Sequence, residues 1–167
     1  MKAFDTDILT EILAGNPAYA ERIAKVPLAE QAAAIVAVEE IVRGRLNTIR
    51  QVEAGKARVS IEQAYSLFEQ TLDDTRELKV LSFSQQAEAL LSEWRTKKIR
   101  GSTHDLRIAA SCVVSSATLV TRNRRDFQNI PGLSVEFGIS RSHPFSLKVP
   151  CHKARASRYD YKCLRSV

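Results

Sequence analysis

Apolar residues recur in two different registers along this chain. Behind Ser60, with Gln63 three positions on, Ile61, Ala64, Tyr65, Phe68 and Leu72 return three and four apart, the spacing of an amphipathic helix opened by a capping box. Ala87, Leu90, Leu91 and Trp94 repeat that spacing behind Ser84 and predict a second helix. Residues 32–38 are instead an unbroken apolar run between Gln31 and Glu39, which predicts a strand buried on both faces, an alanine-rich helix being the competing reading. Leu78 to Phe83 and Ala117 to Thr121 are further strand candidates. Ile130, Pro131, Gly132 and Leu133 form a turn leading into a last edge strand that ends near Glu136. Helices alternating with short strands predict a three-layer α/β domain with a short parallel sheet, whose ligand site lies at the carboxyl ends of the strands.

The length of 167 residues, 44% of them hydrophobic, suffices for one core and calls for no second domain. A formal charge of +6 suggests nucleic acid until it is divided by position. Residues 1–137 hold 18 basic and 18 acidic side chains, and residues 138–167 hold seven and one, so the whole excess sits at the end of the chain. That end contains Pro144 and Pro150, isolated Phe145 and Leu147, and no sustained period. It reads as a basic, mobile extension to a domain over residues 1–137. No apolar segment near the start resembles a secretion signal, and Ile108 to Val120 is too short and too often interrupted by hydroxyl residues to cross a bilayer. A cytoplasmic protein without membrane contact is expected. Cys112, Cys151 and Cys163 cannot all pair within one chain and fit free thiols in a reducing compartment.

Candidate chemistry comes from four acids: Asp5, Glu40, Asp105 and Asp126. Each falls where a strand or turn would hand over to a helix, so tertiary folding could bring them together. Converged carboxylates repel one another unless a hard cation such as Mg²⁺ or Mn²⁺ joins them. With 19 acids in the chain, spacing alone does not select these four. Taken singly, Asp5 and Asp105 read as helix N-caps, Glu40 as a first-turn helix acid and Asp126 as a solvated loop acid. Other chemistries have less support. His104 has no accompanying serine or cysteine motif, no Gly-rich phosphate loop is present, and the spacing of His143, Cys151, His152 and Cys163 matches none of the usual zinc pairs.

Four blocks select among these readings: residues 2–10 around Asp5, residues 38–44 around Glu40, residues 103–110 around Asp105, and residues 119–127 around Asp126, the last followed by Ile130, Pro131, Gly132 and Leu133. In this order they resemble the PIN-domain ribonucleases, and within them the VapC-like toxins of toxin–antitoxin pairs, over residues 1 to about 136. The resemblance implies a PIN-like fold and an endoribonuclease that hydrolyses RNA phosphodiesters with a metal-activated water. Asp5, Glu40, Asp105 and Asp126 would hold Mg²⁺, or Mn²⁺. Gly44, four residues past Glu40, sets the register that prefers Glu40 to Glu39, which lies about 100° round the helix. Asp7 stands where many relatives have asparagine and is a secondary candidate. Thr121 and Asn123, with Thr6 and Thr103, are candidates to satisfy the carboxylates' remaining lone pairs. Arg43, Arg122, Arg124 and Arg125 are candidate RNA contacts, with Arg45 beside them.

The resemblance further implies a homodimer and a small cognate antitoxin that inhibits near the acidic site. The extension after residue 137 departs from the family pattern, and two alternatives stay in view. One is a catalytically silent PIN-like module that binds RNA or protein, and the other is an RNA-processing nuclease without an antitoxin.

Overall fold

The computed structural model describes residues 1–138, and the extension predicted over residues 138–167 lies, from residue 139 on, outside the described residues. Five parallel strands, β1 (Lys2–Phe4), β2 (Gln31–Ala34), β3 (Lys79–Leu81), β4 (Thr118–Thr121) and β5 (Val135–Phe137), form one sheet in the order β3-β2-β1-β4-β5. Between them run α1 (Thr6–Leu13), α2 (Pro17–Ile23), α3 (Ile35–Glu53), α4 (Ile61–Arg76), α5 (Gln85–Thr96), α6 (Thr103–Val114) and α7 (Arg124–Phe127). The predicted three-layer parallel architecture is what the chain adopts. Both faces of the central strands are covered: Ala3, Ala32, Ala33, Ala34 and Leu119 are at most 1% exposed.

Strand order determines where this sheet can bind a ligand. From β1 the chain steps outward to β2 and β3, then returns across the sheet to β4 on the other side of β1 and moves outward again to β5. The direction therefore reverses between β1 and β4. The loops leaving the carboxyl ends of those two strands diverge and leave a crevice, the place where open parallel sheets bind ligands.

Two sequence expectations are corrected. Residues 32–38 divide between the two readings weighed for them: the strand ends at Ala34, and α3 begins at Ile35 with Ala34 as an extended N-cap. Ala37 and Ile41 are buried one turn apart, a 3.6-residue spacing that a strand continuing to residue 38 would destroy. The apolar run could not reveal the switch, because a strand buried on both faces and a helix start buried at its base look alike in composition. Along α4 the capping box of Ser60 and Gln63 forms, but the buried stripe is Ala64, Thr71 and Thr75, while Ile61 and Tyr65 are exposed. Thr71 and Thr75 tolerate burial because each donates its hydroxyl to a carbonyl one turn back, Leu67 and Thr71. The helix behind Ser84 is as predicted, with Ala87, Leu91 and Trp94 in the core.

Candidate functional site

Asp5 is the first residue past β1, at the centre of the sheet. Its backbone N–H donates to the Val120 carbonyl of β4, which fixes the exit of β1 against β4. Its side chain caps α1, Oδ1 accepting from Thr6 N at 2.8 Å, so the N-cap reading of Asp5 is correct. Oδ2 accepts from the buried hydroxyl of Thr121 at 2.7 Å. Capping leaves the carboxyl pointing out of the strand end, where it can also serve a ligand.

Hydrogen bonds continue outward from Asp5 in both directions. Thr6 Oγ1 donates to Glu40 Oε2 at 2.5 Å, which ties the second turn of α3 to the start of α1. On the other side Asn123 N donates to Thr121 Oγ1 at 3.0 Å, and Asn123 Nδ2 donates to Asp126 Oδ2 at 2.8 Å while its Oδ1 caps α7 by accepting from Asp126 N. Glu40, Thr6, Asp5, Thr121, Asn123 and Asp126 thus form one continuous chain across the crevice at the ends of β1 and β4. Glu39, the preceding residue of α3, pairs with Arg43 at 2.8 Å and lies 3.7 Å from His104 Nε2. No atom lies within 4 Å of a side chain built at Gly44, so the face of α3 one turn beyond Glu40 is bare.

Asp105 reaches the site by a different route. Gly101, at φ +150°, brings the chain into α6 where a Cβ would press to 3.1 Å from Leu106. Ser102 then caps the helix and Asp105 closes the box from the third position, its Oδ2 accepting from Ser102 N. The cap of α6 is therefore Ser102 rather than Asp105, which the sequence reading offered as the cap.

Asp105 lies close enough to Asp5 for their charges to repel. Burial pushes the Asp5 carboxyl up to about 7, the hydrogen bonds from Thr121 and Thr6 oppose that rise, and the negative charges of Asp7 and Asp105 add to it. The same field reaches Cys112 beneath the sheet end, whose thiol burial and Asp5 together push up to about 12.

The donor set suits a hard divalent cation. It offers oxygen ligands only. Glu40, Asp105 and Asp126 each keep one carboxylate oxygen outside the hydrogen bonds described, and Asp5 is held in a place where an added positive charge would relieve both its burial and its neighbours. Among the described residues, however, no three acidic, histidine or cysteine side chains are grouped as a ready cation cage, so side chains must close in for all four to ligate.

Asp7, the secondary candidate, has one oxygen, Oδ2, engaged by Arg122 and the other, Oδ1, buried without a hydrogen-bond partner. Arg122 donates to Asp7 Oδ2 from both the backbone N, at 3.0 Å, and Nε, at 3.2 Å, and to Glu11 Oε1 from Nη1 at 2.7 Å. Glu11 escaped the sequence reading. It lies one helical turn past Asp7, but its opposite charge is in a block over a hundred residues away and no local spacing points to it. Of the candidate RNA contacts, Arg122 is therefore held by two carboxylates. Arg43 meets Glu39 and, at 3.0 Å, His104 Nε2; Arg124 lies over the Phe137 ring at 4.0 Å; Arg125 is exposed. Arg45 donates to Thr71 between α3 and α4, and Thr103 opens α6 at an exposed position.

No sequence-family profile and no curated protein matches the chain. Solved structures do. VapBC2 from Rickettsia felis, crystallised bound to a DNA fragment from their promoter, matches with a TM-score of 0.64 and 22% identity over 83% of this chain and 98% of that one. FitAcB from Neisseria gonorrhoeae gives 0.65 and 18% over 81% and 96%. VapBC-1 from nontypeable Haemophilus influenzae gives 0.61 and 20% over 81% and 96%. At these identities the likeness is one of architecture: the chain has a VapC-like PIN fold. No helix among the described residues is long and apolar enough to cross a membrane.

Proposed function

We propose that the protein is a Mg²⁺-dependent endoribonuclease that serves as the toxin of a toxin–antitoxin pair. The observation that carries this reading is the hydrogen-bonded chain from Glu40 through Asp5 to Asp126 at the reversal point of the sheet, with Asp105 acting on Asp5 through its charge. Structural likeness to toxin–antitoxin proteins at matching lengths supports the toxin role.

Asp5, Glu40, Asp105 and Asp126 are the residues that would hold Mg²⁺ or Mn²⁺. When bound, the cation supplies charge stabilisation at the scissile phosphate and a source of hydroxide near neutral pH. Thr6, Thr121 and Asn123 restrict the rotamers of three carboxylates, Glu40, Asp5 and Asp126. Burial holds the Asp5 carboxyl up at about 7, and a bound cation would favour its ionised form. Arg43, Arg124 and Arg125 stand exposed and suit the phosphates of an RNA strand. Partners under this reading are an RNA substrate, a cognate antitoxin and a second copy of the chain.

Incubating purified protein with a mixture of RNAs in Mg²⁺ and in EDTA tests it. Discrete cleavage products in Mg²⁺, absent in EDTA and in Asp105→Asn, are expected. Equal cleavage by the variant would refute the catalytic assignment.

A further inference from the structure

Three consecutive residues leaving β4 each hold a different acid. Thr121 donates to Asp5, Asn123 donates to Asp126, and Arg122 between them faces the opposite way to grip Asp7 and Glu11 on α1. Four hydrogen bonds fasten Arg122: its backbone N and Nε to Asp7 Oδ2, Nη2 to the Asp7 carbonyl at 3.3 Å, and Nη1 to Glu11. Its guanidinium also lies 5.8 Å from the centre of the buried Tyr19 ring. The group is mostly enclosed, with side-chain exposures of 22% for Arg122, 27% for Asp7 and 23% for Glu11, so neither partner is a loose surface charge. A partly desolvated guanidinium whose three nitrogens each donate to a different acceptor is a directional tether for a loop.

We propose that the Asp7–Arg122–Glu11 clamp is a positioning device for the acidic site: it fixes the β4 exit turn onto α1, so that Thr121 and Asn123 present Asp5 and Asp126 in register, with Asp7 serving as Arg122's counterion. The proposal rests on the reading of the four acids as a cation site. Asp7 Oδ2 already accepts two hydrogen bonds from Arg122, which commits that oxygen to the clamp, while Oδ1 is buried without a hydrogen-bond partner and is the only oxygen a cation could take. The clamp explains why an acid is tolerated two residues past Asp5. Asp7 raises the Asp5 carboxyl through its charge, and Arg122 supplies the compensating positive charge within the same cluster.

Two double variants separate positioning from charge, since both leave the net charge unchanged. D7A/R122A removes every side-chain bond of the pair. D7N/R122Q keeps an amide acceptor opposite an amide donor, together with the backbone bond from residue 122. Mn²⁺ binding, followed by the loss of the free-ion EPR signal, should weaken about tenfold or more in D7A/R122A, the usual effect of removing a group that orients ligands, and stay within about twofold of the original in D7N/R122Q. Amide hydrogen exchange across residues 118–127, measured without metal, should accelerate in D7A/R122A alone.

Equal exchange in both double variants would overturn the clamp whatever the metal result. Loss of Mn²⁺ affinity in D7N/R122Q with exchange unchanged would overturn the counterion role and make Asp7 a ligand. Failure of the original protein to bind Mn²⁺ would instead overturn the cation reading, and hydrogen exchange would still decide the clamp.

Discussion

Replacing Asp5 with asparagine should stabilise the protein at neutral and higher pH while removing its activity. The carboxyl titrates near 3.8 in an unfolded chain and near 7 in the fold, so the folded state holds its proton more tightly. Below pH 4 the group is protonated in both states and costs nothing. Between pH 4 and 7 the unfolded chain loses the proton first, and stability falls as pH rises. Above pH 7 the full difference is present, about three pH units at about 1.4 kcal/mol each, or about 4 kcal/mol at most.

Asparagine keeps the shape. Its Oδ1 can accept from Thr6 N and its Nδ2 can donate to Thr121 Oγ1, but the Thr121 hydroxyl hydrogen then loses its carboxylate acceptor, at a cost of about 1 kcal/mol. In EDTA at pH 8.5, Asp5→Asn should therefore be more stable than the original by about 3 kcal/mol, with the advantage vanishing or reversing near pH 4. Urea unfolding followed by fluorescence of the single, buried Trp94 measures it. Mg²⁺ should then stabilise the original protein and leave Asp5→Asn nearly unmoved, because only a folded site binds the ion. A gap between the two proteins that stays constant from pH 4.5 to 8.5 would show that Asp5 is not held in a charge-averse place, and the electrostatic argument for a cation would fail with it.

Thr121→Val removes a buried hydroxyl that links Asp5 to Asn123, and urea unfolding should show a loss of about 1–3 kcal/mol. Ser102→Ala removes the hydroxyl that accepts from Asp105 N and should lower stability by about 1 kcal/mol in urea unfolding, with RNA cleavage little changed, because Asp105 Oδ2 still accepts from the backbone N of residue 102. Gly44→Ala should raise stability by about 0.5–1 kcal/mol, since Gly44 lies within α3 and no neighbouring atom stands where the methyl would go; a fall in RNA cleavage at that higher stability would mark this bare face as a path for the substrate. A chain ending after Gly138 should retain the unfolding transition of the full chain and lose salt-sensitive RNA affinity, because residues 1–137 balance their charges.

Much of this architecture was legible because its signals are local. Ser60 with Gln63 and the apolar spacing behind Ser84 state helix starts and faces directly, and the turn at Pro131 and Gly132 announces β5. The boundary inside residues 32–38 was not legible, since burial on all sides erases the contrast between period 2 and period 3.6. Of the site, the four acids could be named from their blocks, but the side chains that join them could be offered only as candidates. Thr6, Thr121 and Asn123 look like ordinary turn and cap residues until β1 and β4 lie side by side. The Arg122 clamp was least legible of all. Its partners are more than a hundred positions away, and an arginine beside an acidic motif reads equally well as a phosphate contact.

Anomalous diffraction at the manganese edge from crystals soaked in Mn²⁺ tests the central claim most directly. The account predicts a peak in the crevice between the ends of β1 and β4, coordinated directly or through water by Asp5, Glu40, Asp105 and Asp126, with Asp7 still paired to Arg122. A map with no peak there at saturating Mn²⁺, or with the ion bound by other side chains, would contradict it.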